Sequence, residues 1–250
     1  MFIDRQLSAV IVKACKNFPA IVLTGPRQSG KTTLLKHLFK GKASFVTLDS
    51  PEARTWANDD PENFLDSHAT PFIIDEIQNA PNILPYIKSR IDNNRKTGQW
   101  ILTGSQEFSV MKNVSESLAG RIATLRLLPF SFSETKKHLF KNWKEYFHDM
   151  VKQNSGRKNL AAIILNGSYP EIIAKKNTQT NLWYESYIQT YLEKDLKVIY
   201  DIGNLNLFVK FLRLLANRTG QILNMNSLAN DLGTSIPTVK KWISILDASV

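Results

Sequence analysis

Two short stretches of this sequence hold residue types that do chemistry only in company. The first is Gly25-Pro26-Arg27-Gln28-Ser29-Gly30-Lys31-Thr32, which fits GxxxxGK[ST] and runs on into Thr33. Its glycines permit backbone angles that turn successive N–H groups toward one point, where phosphate oxygens would be held. Lys31 reaches the β- and γ-phosphates, and the Thr32 hydroxyl is placed to ligate magnesium. The second is Asp75-Glu76, about 45 residues beyond the lysine, closing the apolar run "PFII". In an enzyme with such a phosphate loop, Asp75 would hold magnesium through its water shell and Glu76 would orient or deprotonate the attacking water. Together the two stretches describe binding of a nucleoside triphosphate and attack of water on it. Either alone has a plainer reading, a glycine turn or two acids that cap a helix or face solvent.

Such groups need rigid elements to position them. "AIVLT" before the loop is an apolar run with the signature of a buried parallel strand. The following "TLLKHLF" is helical, so its free N–H groups and positive dipole end face the same anion as the loop. "PFII" predicts a second buried strand and "QWIL" a third, which leads into Thr103, Gly104, Ser105 and Gln106. "SFVTLDSPEAR" adds a strand from about Ser44, and Asp49 at its end is read as structural, with orienting a group near the site as the alternative. After a helical stretch, "IATLRLLPFS" supplies a fifth strand, and Arg121 stands where that helix meets it.

Bulk properties set the frame. The chain has 250 residues, is 43% hydrophobic and carries a formal net charge of +10. No apolar run approaches the length of a membrane span, so no membrane partner is expected. The start, "MFIDRQLSAVIVKACKNFPA", is broken by charges and suits a short amphipathic helix rather than a signal core. Cys15 is the single cysteine. It excludes an internal disulfide and fits a reducing interior, so the expected location is cytoplasmic. The basic excess is densest between Lys136 and Lys158, and favours an anionic partner such as nucleic acid or simply a solvated lysine-rich helical face.

Beyond residue 131 no strand alternation is visible, and "SGRKN" and "NGSYP" read as breaks between helices. Trp183, Tyr184, Tyr187 and Tyr191 recur at helical spacing, which suits packing more than base stacking. From Asn206 the pattern becomes a helix-turn-helix: Ser227 caps a short helix, Gly233 turns, and Thr234 or Ser235 caps the next with Pro237 in its first turn. In a DNA-binding version Ser235, Thr238, Lys240 and Lys241 would face the groove or its phosphates. The same module also serves as a protein-docking element.

"FPAIVLTGPRQSGKTTLL", "LDSPEARTWANDDPENFL", "PFIIDEIQNAPNILPYIK", "ILTGSQEF", "VSESLAGR" and "LPFSFSE" together resemble a widespread prokaryotic family of AAA+-type ATPases. "LNGSYPEI", "YIQTYLEKDL" and "LANRTGQILNMNSLANDLG" extend the resemblance over essentially the whole chain. It implies an α/β fold: a P-loop three-layer sandwich with a parallel sheet of the AAA+/ASCE type. A P-loop ATPase core (1–130), a helical lid (131–203) and a winged helix-turn-helix (204–250) would follow one another, the last cut off before its wing. Family members usually run further into a nuclease-like tail, so either the wing and tail are absent from this stretch or the protein is naturally short. The resemblance implies ATP and Mg2+ as cofactors. Residues Gly25 to Thr33 would contact ATP, Thr32 and Asp75 would hold the metal, and Lys31 and Glu76 would be catalytic. In such proteins the strand between the two motif strands ends in a γ-phosphate sensor, here Thr103, Ser105 or Gln106. Arg121 would be a finger offered to a neighbouring subunit of a homo-oligomer, or else a helix cap paired with a surface acid. The expected activity is Mg-dependent ATP hydrolysis coupled to lid and winged-helix movement on a DNA or protein partner. The alternative is an ATP-gated DNA-binding switch with little turnover. Phosphoryl transfer to a small molecule is weaker, since no acceptor motif is evident, and no NKxD motif points to GTP.

Overall fold

The computed structural model describes residues 2–104, 114, 117–152, 160–175, 179–191 and 202–249. Ser105 and Gln106 lie outside the described residues. The chain divides into two compact units, Met1–Thr178 and Gln179–Val250.

The first unit is built on a parallel sheet of β1 (Ala20–Thr24), β2 (Ser44–Thr47), β3 (Phe72–Asp75), β4 (Trp100–Thr103) and β5 (Ile122–Arg126), in the order β2-β3-β4-β1-β5. The third predicted strand, β4, therefore lies between the two motif strands. Helices α1 (Leu7–Asn17), α2 (Lys31–Leu38), α3 (Pro51–Asp59), α4 (Pro61–Asp66) and α5 (Leu84–Asn93) cover the sheet. Side chains alternate across a strand, and here both faces are apolar. Ala20, Val22, Phe72, Ile74, Trp100 and Leu102 enter one core with Ala57, Phe64, Ile87 and Ile91 from α3, α4 and α5. Ile21, Leu23, Ile73 and Ile101 enter the other with Ile11 and Ala14 of α1 and Leu34 and Leu35 of α2. Two cores separated by one sheet make the three-layer sandwich. Each such buried aliphatic side chain contributes about 1.5–3 kcal/mol, which fixes the strand register that the site depends on.

The unit continues through α6 (Phe132–Thr135), α7 (Trp143–Lys152), α8 (Leu160–Asn166) and α9 (Pro170–Ala174). A capping box opens α6: Ser131 accepts from the Glu134 N–H, and Glu134 accepts from the Ser131 N–H.

The second unit comprises α10 (Thr180–Tyr191), α11 (Leu205–Asn217), α12 (Met225–Leu232) and α13 (Ile236–Ser249). Phe208, Phe211, Leu228, Leu232, Val239, Trp242 and Ile245 form its core, and the Trp242 indole donates to the Ile202 carbonyl at 3.2 Å. Asn224 rather than Ser227 caps α12, accepting from the Ser227 N–H at 3.0 Å, while the Ser227 hydroxyl accepts from Arg218. Gly233 ends α12 in a left-handed conformation (φ 65°), and Ser235 opens α13 by accepting from the Thr238 N–H. Among the described residues no helix is long and apolar enough to cross a membrane.

Candidate nucleotide site

Strand register brings the motif residues together. Leu23 pairs with Thr103, and Ile74 pairs with Leu102, so Asp75, Thr103 and the start of the loop share the carboxyl edge of three adjacent strands. Neighbouring strands lie about 4.8 Å apart, which puts all three within the reach of one phosphate chain. In parallel α/β sheets this edge is where ligands bind.

The loop itself is shaped by three left-handed residues: Gly25 (φ 140°), Gln28 (φ 59°) and Gly30 (φ 93°). Gly25 cannot be replaced without movement, because a Cβ there would stand 2.2 Å from the Leu127 carbonyl oxygen. Pro26 is buried, Arg27 half-buried and Gln28 exposed. Ser29 is fully buried, and its hydroxyl has no hydrogen-bond partner within the protein. A donor left over inside an anion cradle is what a bound phosphate oxygen would satisfy. Gly30 opens α2, so Lys31, Thr32 and Thr33 form its first turn. Lys31 is 5% exposed, and its ammonium donates to the carbonyls of Gly25 at 2.8 Å and Pro26 at 3.0 Å. It thus spans the loop from beneath, close to where phosphates would enter.

The acidic half is equally ordered. The Thr32 hydroxyl lies 3.0 Å from both Asp75 carboxylate oxygens, and the Thr103 hydroxyl donates to Asp75 Oδ1. Burial raises the Asp75 pKa above its ordinary range; the Thr103 bond opposes this, the Glu76 charge adds to it, and Thr32 and Lys31 oppose it. Glu76 takes a left-handed backbone (φ 58°), rare for a residue with a side chain. Its N–H donates to Thr103 Oγ1 at 3.3 Å, and its carboxylate accepts from the Gln78 amide. An all-oxygen set of one carboxylate and neighbouring hydroxyls suits Mg2+, a hard cation that keeps several waters and takes its other ligands from substrate phosphates. When bound, that ion would polarise the phosphoryl oxygens and neutralise developing charge.

Of the three sensor candidates, Thr103 touches both acids, and Ser105 and Gln106 fall outside the described residues. Arg121 stands elsewhere. The Ala20 N–H donates to its carbonyl, so it sits at the amino end of β1, five residues from the loop and about 15 Å away at strand spacing. There its guanidinium forks onto Asp92 at 2.6 and 2.9 Å and caps the Ala119 carbonyl at 2.9 Å. Asp49 accepts from Asn79 at 3.2 Å, tying the end of β2 to the segment after Glu76. Sequence reasoning passed over Gln78, and also Arg5 and Glu134, which pack behind the loop. The spacing Ser131-x-x-Glu134 is a capping-box signal that could have drawn attention to the last.

Residues 17–136 match a family described as an AAA domain, and residues 157–250 match a domain of unknown function. An uncharacterized protein of Mycobacterium tuberculosis is 26% identical over 98% of this chain, which spans about half (52%) of that relative's length. An uncharacterized protein of Methanocaldococcus jannaschii is 24% identical over 84% of the chain and 49% of its own length. Among solved structures, the Walker-type ATPase PABY2304 of Pyrococcus abyssi superposes with a TM-score of 0.59 at 16% identity, covering 99% of this chain and 90% of that one. That likeness concerns the fold. The parallel sheet, the glycine loop at its carboxyl edge and the match over 17–136 show that the first unit carries an AAA domain with a P-loop fold.

Proposed function

We propose that this protein binds ATP with Mg2+ and hydrolyses it. The observation that carries the reading is the convergence of Lys31, Thr32, Asp75, Glu76 and Thr103 at one strand edge. In this reading the loop N–H groups and Lys31 hold the phosphates, and Thr32 and Asp75 hold the metal. Glu76, turned out of the strand by its left-handed backbone, takes the proton of the attacking water. Thr103 positions both acids. Its hydroxyl donates to Asp75 and accepts from the Glu76 N–H, so displacement of one acid by a γ-phosphate is felt by the other. The 131–203 segment acts as the lid and 204–250 as a winged-helix module, both moving with nucleotide state against a macromolecular partner. Titration of a fluorescent ATP analogue tests the binding half. Wild type should bind in Mg2+ and lose affinity when the metal is chelated, Lys31→Ala should bind poorly in either condition, and Asp75→Asn should lose the metal dependence. Equal binding by wild type and Lys31→Ala would rule out this site.

One observation favours a second reading, a nucleotide-gated DNA-binding switch. Ser235, Lys240 and Lys241 are exposed on the start of α13, the second helix of the helix-turn-helix. Duplex binding that responds to ATP but not to Glu76→Gln would favour the switch over the engine.

A further inference from the structure

Arg5 is a buried cation that the nucleotide chemistry does not use. It precedes α1 in the chain, yet it is only 4% exposed and packs behind the phosphate loop. Its Nη1 donates to the Ser29 carbonyl at 2.9 Å, Nη2 donates to the Leu128 carbonyl, and Nε donates to Glu134 at 3.1 Å. The guanidinium also lies 4.5 Å from the centre of the Phe130 ring. Glu134 is held in turn, accepting from the backbone N–H groups of Gln6 and Ser131 at 2.7 Å each. A Cβ on Gly30 would stand 3.8 Å from Arg5 Nη1, so the arginine lies directly against the last glycine of the loop.

The peptide between Ser29 and Gly30 explains why this contact matters. In a trans peptide the C=O and the N–H point in opposite directions. A Ser29 carbonyl held to the rear therefore turns the Gly30 N–H forward, to the side where the phosphates would lie. Gly30 has φ 93°, and a glycine in that region rotates readily when nothing fixes it. We propose that Arg5 is a positioning residue of the phosphate loop, locking the Ser29–Gly30 peptide in its anion-binding orientation and tying it through Glu134 to the segment after β5. The role rests on the nucleotide reading above, but the loop geometry it predicts exists without nucleotide.

The variant to make is Arg5→Lys, which keeps the charge but has no planar fork to span three acceptors. Ile91→Ala, on the buried face of α5, serves as a control that loses stability far from the loop. Two readouts are needed below the melting transition: Mg-ATP affinity, and amide hydrogen exchange of residues 29–33 in the ligand-free protein. Arg5→Lys should weaken ATP binding about tenfold and speed loop exchange by a similar factor, the scale of one lost charge-assisted hydrogen bond. Ile91→Ala should move the melting temperature and neither readout. If Arg5→Lys matches wild type in both, or if the control shifts them equally, the role is overturned. Should wild type bind no nucleotide, the nucleotide reading falls and the exchange measurement alone decides the clamp. Should Arg5→Lys fail to fold, Glu134→Gln replaces it, with a smaller shift of the same readouts expected and none overturning the proposal.

Discussion

Asp75 shows how the site is held at a cost to the fold. Its carboxyl is buried, and its pKa is raised from an ordinary value near 3.8 chiefly by that burial. Below 3.8 the group is protonated in both folded and unfolded chains and contributes nothing to pH dependence. As pH rises from 3.8 through the raised value, the folded state still holds a proton that the unfolded state has released, so stability falls. Above that value the full penalty of the buried charge remains. Asp75→Asn keeps the shape and removes the charge. It should therefore melt higher than wild type at pH 7, and the gap should close as pH falls toward 3.8, while turnover is lost. Thermal melts of both proteins across that range check this, and a gap independent of pH would place the strain elsewhere. Stability given up at a functional carboxylate is a common trade in enzymes.

At the scale of elements, the sheet was legible because its strands announce themselves. "AIVLT", "FIID" and "WILT" are apolar on both faces and end on polar residues, and the loop glycines mark a turn that demands left-handed backbone. The site residues on those strand ends were legible for the same reason: register carries each to one edge. Arg5 and Glu134 were not, because they are 129 residues apart and a buried ion pair has no periodicity to betray it. Arg121 also escaped a single reading, since its pairing with Asp92 depends on where α5 ends relative to β5. In the second unit the turn was plain from Gly233, but the cap was misplaced. "NMNS" offers three capping residues, Asn224, Asn226 and Ser227, and the backbone chose Asn224. Asn224→Ala should therefore lower stability by about 1 kcal/mol and Ser227→Ala by less, as denaturant unfolding of the two variants will show.

For the whole molecule the question is assembly. Arg121 lies at the opposite end of β1 from its own loop, so it can serve a nucleotide only in a neighbouring copy, after leaving Asp92. Exposed pairs of this kind are weak enough to exchange. If it does so, turnover per site should rise with protein concentration, and Arg121→Ala should abolish the rise while sparing ATP binding. A wild-type rate per site that is flat with concentration would leave the arginine as a surface cap. The chain spans about half of its mycobacterial relative's length. The most direct measurement of the central claim is phosphate release from Mg-ATP by wild type, Lys31→Ala and Glu76→Gln, with ATP binding followed in parallel. Wild type should turn over, Lys31→Ala should neither bind nor turn over, and Glu76→Gln should bind normally with turnover reduced about 10²–10⁴-fold. Equal phosphate release by wild type and Glu76→Gln would contradict the account.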